Sequence, residues 1–189
     1  MYSKGDGVKK DQKEAEKYYQ KATDQNSSQA CFNLGVLYFK GAEGIPENKA
    51  KAAELFEKAF KLNLQNTKSI FNLAVLYAKG DGVVQNEKKS VDLYKRAAAL
   101  NNADALLKLT VIYDEGICGV SQDKKEAFEY FKRSADLGNA KAKLIVGIKY
   151  EIGDKCEKDL IKAKEYIEKS ANQGNREAQE RILDFKNIK

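Results

Sequence analysis

The residues of this chain that could do chemistry are few, and most of them recur. Gly5-Asp6-Gly7 and Gly80-Asp81-Gly82 have the Gly-x-Gly form of a loop that cradles phosphate. Neighbouring carboxylates such as Asp114-Glu115 have the composition of an acid–base pair. Neither pattern makes a site. Both Gly-x-Gly segments lie between two helix patterns rather than after a strand, and they return with the period of the chain, as turns do. Asp114-Glu115 is one pair among many acids, and a charge at a helix end explains it. No GxxxxGK[ST], GxSxG or HExxH motif occurs, and the chain has no histidine, so the commonest general base and neutral metal ligand are missing. No metal or cofactor is implied, and no enzymatic reading has support.

The elements that position these residues are set by a repeat. Tyr2, Tyr38, Tyr77, Tyr113 and Tyr150 are separated by 36, 39, 36 and 37 residues. A fixed period in this range marks a stack of helix pairs. Each tyrosine closes a first helix with apolar residues at helical spacing: Ala30, Phe32, Leu34 and Leu37, then Phe71, Leu73 and Leu76, then Ala105, Leu109 and Ile112, then Ala142, Leu144 and Val146. A glycine turn follows at Gly41, Gly80, Gly116 and Gly153. In the last turn Lys155 and Cys156 replace the second glycine and the valine, which predicts a differently shaped loop. Second helices follow. The first of them spans roughly Gln12 to Asp24, and later ones carry Leu55 and Phe56, Leu93 and Tyr94, Tyr130 and Phe131, and Tyr166 and Ile167. The link Lys61 to Thr67 is two residues longer than its counterparts. Small residues at Gly35, Ala74, Thr110 and Gly147, three before each tyrosine, let two helices cross closely.

The expected fold is therefore all-α, with no strands: a partial repeat over 1–26, repeats over 27–63, 64–102, 103–139 and 140–175, and a partial C-terminal helix over 176–189. The pattern A-x-x-x-L-G-x-L-Y-x-x-G-x-G-V followed by A-x-x-Y-[YF]-x-x-A-A-x-x-G resembles the Sel-1-like repeat, a relative of the tetratricopeptide repeat, over nearly the whole chain. The resemblance implies a right-handed α-solenoid of antiparallel helix pairs that acts as an adaptor in protein complexes, with first helices on the concave side. Secreted members of the family carry two cysteines per repeat. Cys31, Cys118 and Cys156 do not follow that pattern, and their odd number argues against a full disulfide framework.

Composition adds limits. Lys+Arg 34 against Asp+Glu 28 gives a net charge of +6, which raises a nucleic acid or other polyanion as an alternative partner. The two signs are interleaved, so a solvated surface explains the charge, and a nucleic-acid partner is not favoured. No apolar run is long enough to span a membrane and no signal peptide is visible, so the default expectation is a cytoplasmic protein without membrane insertion. Asn26-Ser27-Ser28 matches a glycosylation acceptor, which matters only in a secreted protein.

The expected binding surface follows from spacing. Positions −9, −5, −2 and +2 from each tyrosine form one stripe, turned away from the core stripe, and should face the concave groove. Its occupants are Gln29, Asn33, Val36 and Lys40; Lys68, Asn72, Val75 and Lys79; Asp104, Lys108, Val111 and Glu115; and Lys141, Ile145, Ile148 and Ile152. Paired asparagines can hold an extended backbone, Lys40 and Lys79 favour acid groups, and the isoleucines offer an apolar anchor for a protein or peptide partner. The bland alternative has Asn33 and Asn72 cap loops and the isoleucines pack on the next helix. Tyr18 and Tyr19 lie on a helix whose partner helix is cut short in this sequence: either the sequence starts inside a repeat, or this N-terminal face docks onto another copy or an upstream domain.

Overall fold

A computed structural model of the chain describes residues 11–187, with side chains to residue 182. Tyr2 and the turn from Gly5 to Val8 lie outside the described residues. Ten helices follow one another: α1 (Gln12–Asp24), α2 (Ser28–Lys40), α3 (Lys49–Leu62), α4 (Thr67–Lys79), α5 (Glu87–Ala99), α6 (Ala103–Glu115), α7 (Lys124–Asp136), α8 (Ala140–Ile152), α9 (Leu160–Asn172) and α10 (Arg176–Asn187). No strand occurs among the described residues; an isolated bridge joins Ala42 and Ile45 in one turn. The chain forms two units, residues 1–100 and 101–189. In the first, α2 packs on α1 and α3, and α4 on α3 and α5; in the second, α7 packs on α6 and α8, and α9 on α8 and α10.

The helix starts follow from short polar side chains. Asp11, Ser27, Asn48, Asn66, Asn86, Asn102, Asp123, Asn139 and Asp159 each precede a helix and accept a hydrogen bond from an N–H of its first turn. Such a cap satisfies a donor that the helix itself cannot, worth about 1 kcal/mol each. Four of them do a second thing. The N–H of Asn48, Asn86, Asp123 and Asp159 donates to the carbonyl of Tyr38, Tyr77, Tyr113 and Tyr150, at 2.7 to 2.9 Å. One residue thus closes the first helix and opens the second.

Packing follows the core stripe. Ala30, Leu34, Leu37 and Tyr38 are buried, as are Leu73, Leu76, Leu109, Ile112, Val146 and Tyr150. Phe56, Ile70, Leu106 and Ile167 fill the spaces between helices, and Cys31 is fully buried as a small apolar residue. Close crossings occur at two of the small residues. A Cβ on Gly35 would lie 2.7 Å from the Phe56 ring, and one on Gly147 would lie 2.6 Å from Ile167 Cγ1. Buried serines tie helix to helix: Ser90 Oγ donates to the Ala74 carbonyl at 2.9 Å and Ser170 Oγ to the Ala140 carbonyl at 2.6 Å. The longer link lengthens α3 by one residue and turns through Asn63, whose carbonyl accepts from Asn66 N–H at 3.0 Å.

The last turn corrects one expectation. Lys155 has φ 64 and Gly153 φ 78, against 71 at both Gly80 and Gly82. Lys155 therefore takes the left-handed conformation of the glycine it replaces rather than reshaping the loop. Its ammonium pairs with Asp114 of the preceding repeat, and such a pair, worth up to about 1 kcal/mol, offsets part of the left-handed cost of about 1–2 kcal/mol. The core stripe of the same repeat holds Lys149 beside Tyr150, paired to Asp154 at 2.5 Å. That bond holds the exposed Asp154 carboxyl below its ordinary range.

A Cβ on Gly82 would meet Ala50 N at 2.3 Å, whereas one on Gly119 would meet nothing within 4 Å, and both glycines have φ 71. Gly119→Ala should cost only the left-handed penalty of about 1–2 kcal/mol, and Gly82→Ala about 1–3 kcal/mol more, read as the difference in chemical denaturation. Ser69 is buried without a hydrogen-bond partner among the described residues, where the other repeats have Ala30, Ala105 and Ala142. Ser69→Ala should raise stability by about 1 kcal/mol, read in the same way.

Candidate binding surface

The outward stripe of each first helix is held in place by the caps and by the tyrosines behind it. In the first unit Gln29, Lys40, Lys68 and Lys79 are exposed, and Asn33, Val36, Asn72 and Val75 are half-buried. Neither asparagine caps a loop, because Ser27 and Asn66 fill those places. The Gln29 side-chain amide donates to Asn33 Oδ1 at 2.9 Å, which fixes the orientation of Asn33. Lys68 stands at the corresponding position before Asn72, so the second amide has no such neighbour.

In the second unit Asp104, Lys108, Val111, Glu115 and Lys141 are exposed. The three isoleucines separate. Ile148 packs against the cluster of Leu144, Ile167 and Ala178, as the core reading expected. Ile145 and Ile152 stand in solvent, Ile152 with 64% of its surface accessible. The two units differ in charge. The stripe of the first carries three lysines and no carboxylate; that of the second balances Asp104 and Glu115 against Lys108 and Lys141.

The tyrosines behind the stripe make polar contacts that the sequence reading did not include. The Tyr38 hydroxyl donates to Glu16 of the preceding repeat and accepts from Lys51 Nζ at 2.6 Å, with that ammonium 4.0 Å from the ring centroid. Lys89 repeats the contact on Tyr77, at 2.7 Å to the hydroxyl and 4.1 Å to the ring. Cation–π pairs of this kind add about 0.5–1 kcal/mol at exposed sites. Burial and the hydrogen bond to Glu16 push the Tyr38 hydroxyl up, and burial pushes that of Tyr130 up to about 12. The signal was present in the sequence as a lysine 13 residues after Tyr38 and 12 after Tyr77.

Other candidate groups are placed as follows. Asp114 is engaged by Lys155, and Glu115 is exposed on the stripe. Ser27 caps α2 and the Ser28 hydroxyl donates to the Ala59 carbonyl at 2.8 Å, so the Asn26-Ser27-Ser28 segment serves the helix junction. None of the three cysteines is in a disulfide, and burial pushes the Cys156 thiol up. Among the described residues, no group of three His, Cys, Asp or Glu side chains could hold a metal ion, and no helix is long and apolar enough to cross a membrane.

The same architecture is found in known proteins. The Sel1 repeat matches residues 1–27, 28–64, 67–102, 103–139 and 140–175. A Sel1 repeat protein from Oxalobacter formigenes has a crystal structure similar to this one, with a TM-score of 0.78 and 33% identity over 94% of this chain and 71% of that one. The protective antigen c5321 of uropathogenic Escherichia coli gives a TM-score of 0.77 and 31% identity over 100% of this chain and 39% of that one. Among curated proteins, cytochrome c oxidase assembly factor 7A of Xenopus laevis is 40% identical over 87 residues, 46% of this chain and 37% of its own length. Chitin synthase regulatory factor 3 of Schizosaccharomyces pombe is 29% identical over 118 residues, 61% of this chain and 13% of its own length. The chain thus spans well under half the length of these curated relatives, which are named as assembly or regulatory factors rather than as enzymes. With the Sel1 repeat matched along nearly its full length and the helix pairs in place, the chain belongs to the Sel1 repeat family.

Proposed function

We propose that this chain is a protein-interaction scaffold and that the outward stripe of its first helices holds an extended segment of a partner protein. The observation that carries this reading is the stripe of the first unit. It presents Asn33 and Asn72 one repeat apart, flanked by Lys40, Lys68 and Lys79, with no carboxylate among them. Each amide can donate to and accept from a peptide backbone, and the lysines favour acidic side chains or a terminal carboxylate. In the second unit Lys108, Glu115, Ile145, Ile148 and Ile152 form a separate stripe, with Ile145 and Ile152 as apolar anchors. Tyr38, Tyr77, Tyr113 and Tyr150, with Gly41, Gly80, Gly116 and Gly153, hold the helices that carry the stripe. The relatives named as assembly and regulatory factors support a role in bringing proteins together, not the identity of the partner.

The test uses an array of extended acidic, neutral and basic peptides read by fluorescence anisotropy, with a DNA duplex as a competitor. Acidic peptides should bind best. Lys40→Glu with Lys79→Glu should weaken them at least about tenfold, since a lost charge-assisted contact is worth about 1.5–3 kcal/mol. Asn33→Ala with Asn72→Ala should weaken acidic and neutral peptides alike. Duplex binding that falls steeply with salt, without any preference among the peptides, would favour the polyanion reading.

A further inference from the structure

The link between α3 and α4 is longer than its counterparts, and its residues make a turn of their own. Three residues separate α1 from α2, α5 from α6 and α7 from α8, whereas Asn63, Leu64, Gln65 and Asn66 separate α3 from α4. Asn63 Oδ1 accepts from the Gln65 N–H at 2.9 Å, the local bond by which an asparagine shapes a turn. The Asn63 N–H donates to the Ala59 carbonyl at 3.0 Å, and the Thr67 N–H to the Gln65 carbonyl at 2.8 Å. The Asn66 side-chain amide donates to Ser28 Oγ at 3.1 Å, and that hydroxyl donates in turn to the Ala59 carbonyl. The turn is thus tied both to the end of α3 and to the start of α2.

What this fixed turn presents is apolar. Leu62 is 41% exposed and Leu64 56%. One exposed leucine is ordinary. These two flank a single asparagine on a turn whose backbone is held, in a link that the other repeats complete with fewer residues. Their surroundings are basic. Between Glu57 and Asp81 the chain carries Lys58, Lys61, Lys68 and Lys79 and no carboxylate. Lys58 Nζ donates to the Thr23 carbonyl at 3.0 Å, and Lys61 pairs with Glu57 at 3.4 Å. The Arg96 guanidinium, from the next second helix, lies 4.5 Å from the centroid of the Phe60 ring, two residues before Leu62. Lys68, exposed at the second position of α4, is also the first residue of the stripe on that helix. The basic stripe of the first unit therefore begins beside the leucine turn.

We propose that the Leu62–Leu64 turn is the apolar end of the binding surface of the first unit. It takes an aliphatic or aromatic side chain of the same acidic segment that the stripe holds, so the inference rests on that reading. Charge selects the occupant: a partner segment arriving here meets lysines on both sides of the leucines, so its apolar residue must stand next to carboxylates. A turn that is already ordered loses little freedom when it is covered, which leaves the burial of the two leucines as gain.

Fluorescence anisotropy with two labelled peptides tests this. One is a short extended peptide of glutamate and serine; the other is the same peptide carrying leucine and phenylalanine at one end, made in both directions. One direction of the second peptide should bind the parent chain about tenfold more tightly than the first peptide does, the effect of burying one large apolar side chain. Leu62→Ser with Leu64→Ser, and Leu64→Ser alone, should lose that gain and bind the plain peptide as the parent does, with circular dichroism and melting showing an intact fold. The gain should also persist when salt weakens both peptides. Apolar ends that bring no gain in either direction overturn the proposal, and so does a gain that survives in the double leucine variant. In both cases the plain peptide still binds, and still weakens in Lys40→Glu with Lys79→Glu, if the stripe reading holds. A leucine-dependent gain that the lysine variant leaves untouched overturns the stripe reading instead and keeps the turn as an apolar site. Absence of binding by either peptide overturns both.

Discussion

One backbone hydrogen bond organises each complete repeat: the N–H of the residue that caps the second helix donates to the carbonyl of the tyrosine that ends the first. An α-helix leaves its last carbonyls and its first N–H groups without internal partners. Here the two sets of orphans are satisfied by one residue. Its side chain takes an N–H of the helix it opens, and its own N–H takes a carbonyl of the helix it follows. The tyrosine backbone is thereby tied to the start of the second helix. In the two repeats of the first unit, at Tyr38 and Tyr77, its hydroxyl and face are met by a lysine from the opening of the second helix. Helix pair, turn and tyrosine are a single arrangement, repeated.

Much of this was legible because it is periodic. The tyrosine spacing, the apolar positions and the small residues at Gly35 and Gly147 each recur, and recurrence separates a structural residue from an accidental one. What was not legible depends on contacts between repeats. Nothing in Lys155 itself indicates that a lysine will take a glycine's conformation; the reason lies in Asp114, 41 residues earlier. Nor does the sequence say that Ile148 is drawn into the core while Ile145 and Ile152, on the same stripe, are not. That division is set by Ala178 of α10, which packs with Leu144 and Ile167 beneath it. The caps were missed for a different reason. Asn and Asp are common in any loop, and their role shows only once the helix starts are placed to within one residue.

The stripe itself illustrates how far a helical period can carry a functional reading. It selects the residues that point away from the core, and most of them do stand in or near solvent. It does not select among them. The difference between a lysine-rich stripe in the first unit and a mixed, aliphatic one in the second is a property of side chains that the fold leaves free to vary. A solenoid of this kind keeps its architecture in one set of positions and its recognition chemistry in another.

That separation extends to the net charge. Asn48, Asn86, Asn102 and Asn139 take part in the fold as acceptors: their side-chain oxygens receive one N–H each, at 2.8 to 2.9 Å. An aspartate accepts the same bond and suits the positive end of the helix dipole better. The chain already uses aspartate at Asp11, Asp123 and Asp159. Exchanging those four asparagines would take the net charge from +6 to +2 without altering a buried side chain. The basic character of this protein is therefore adjustable at its helix starts, so a lineage can retune its attraction to charged surroundings by single-base changes while the stack of helices stays as it is.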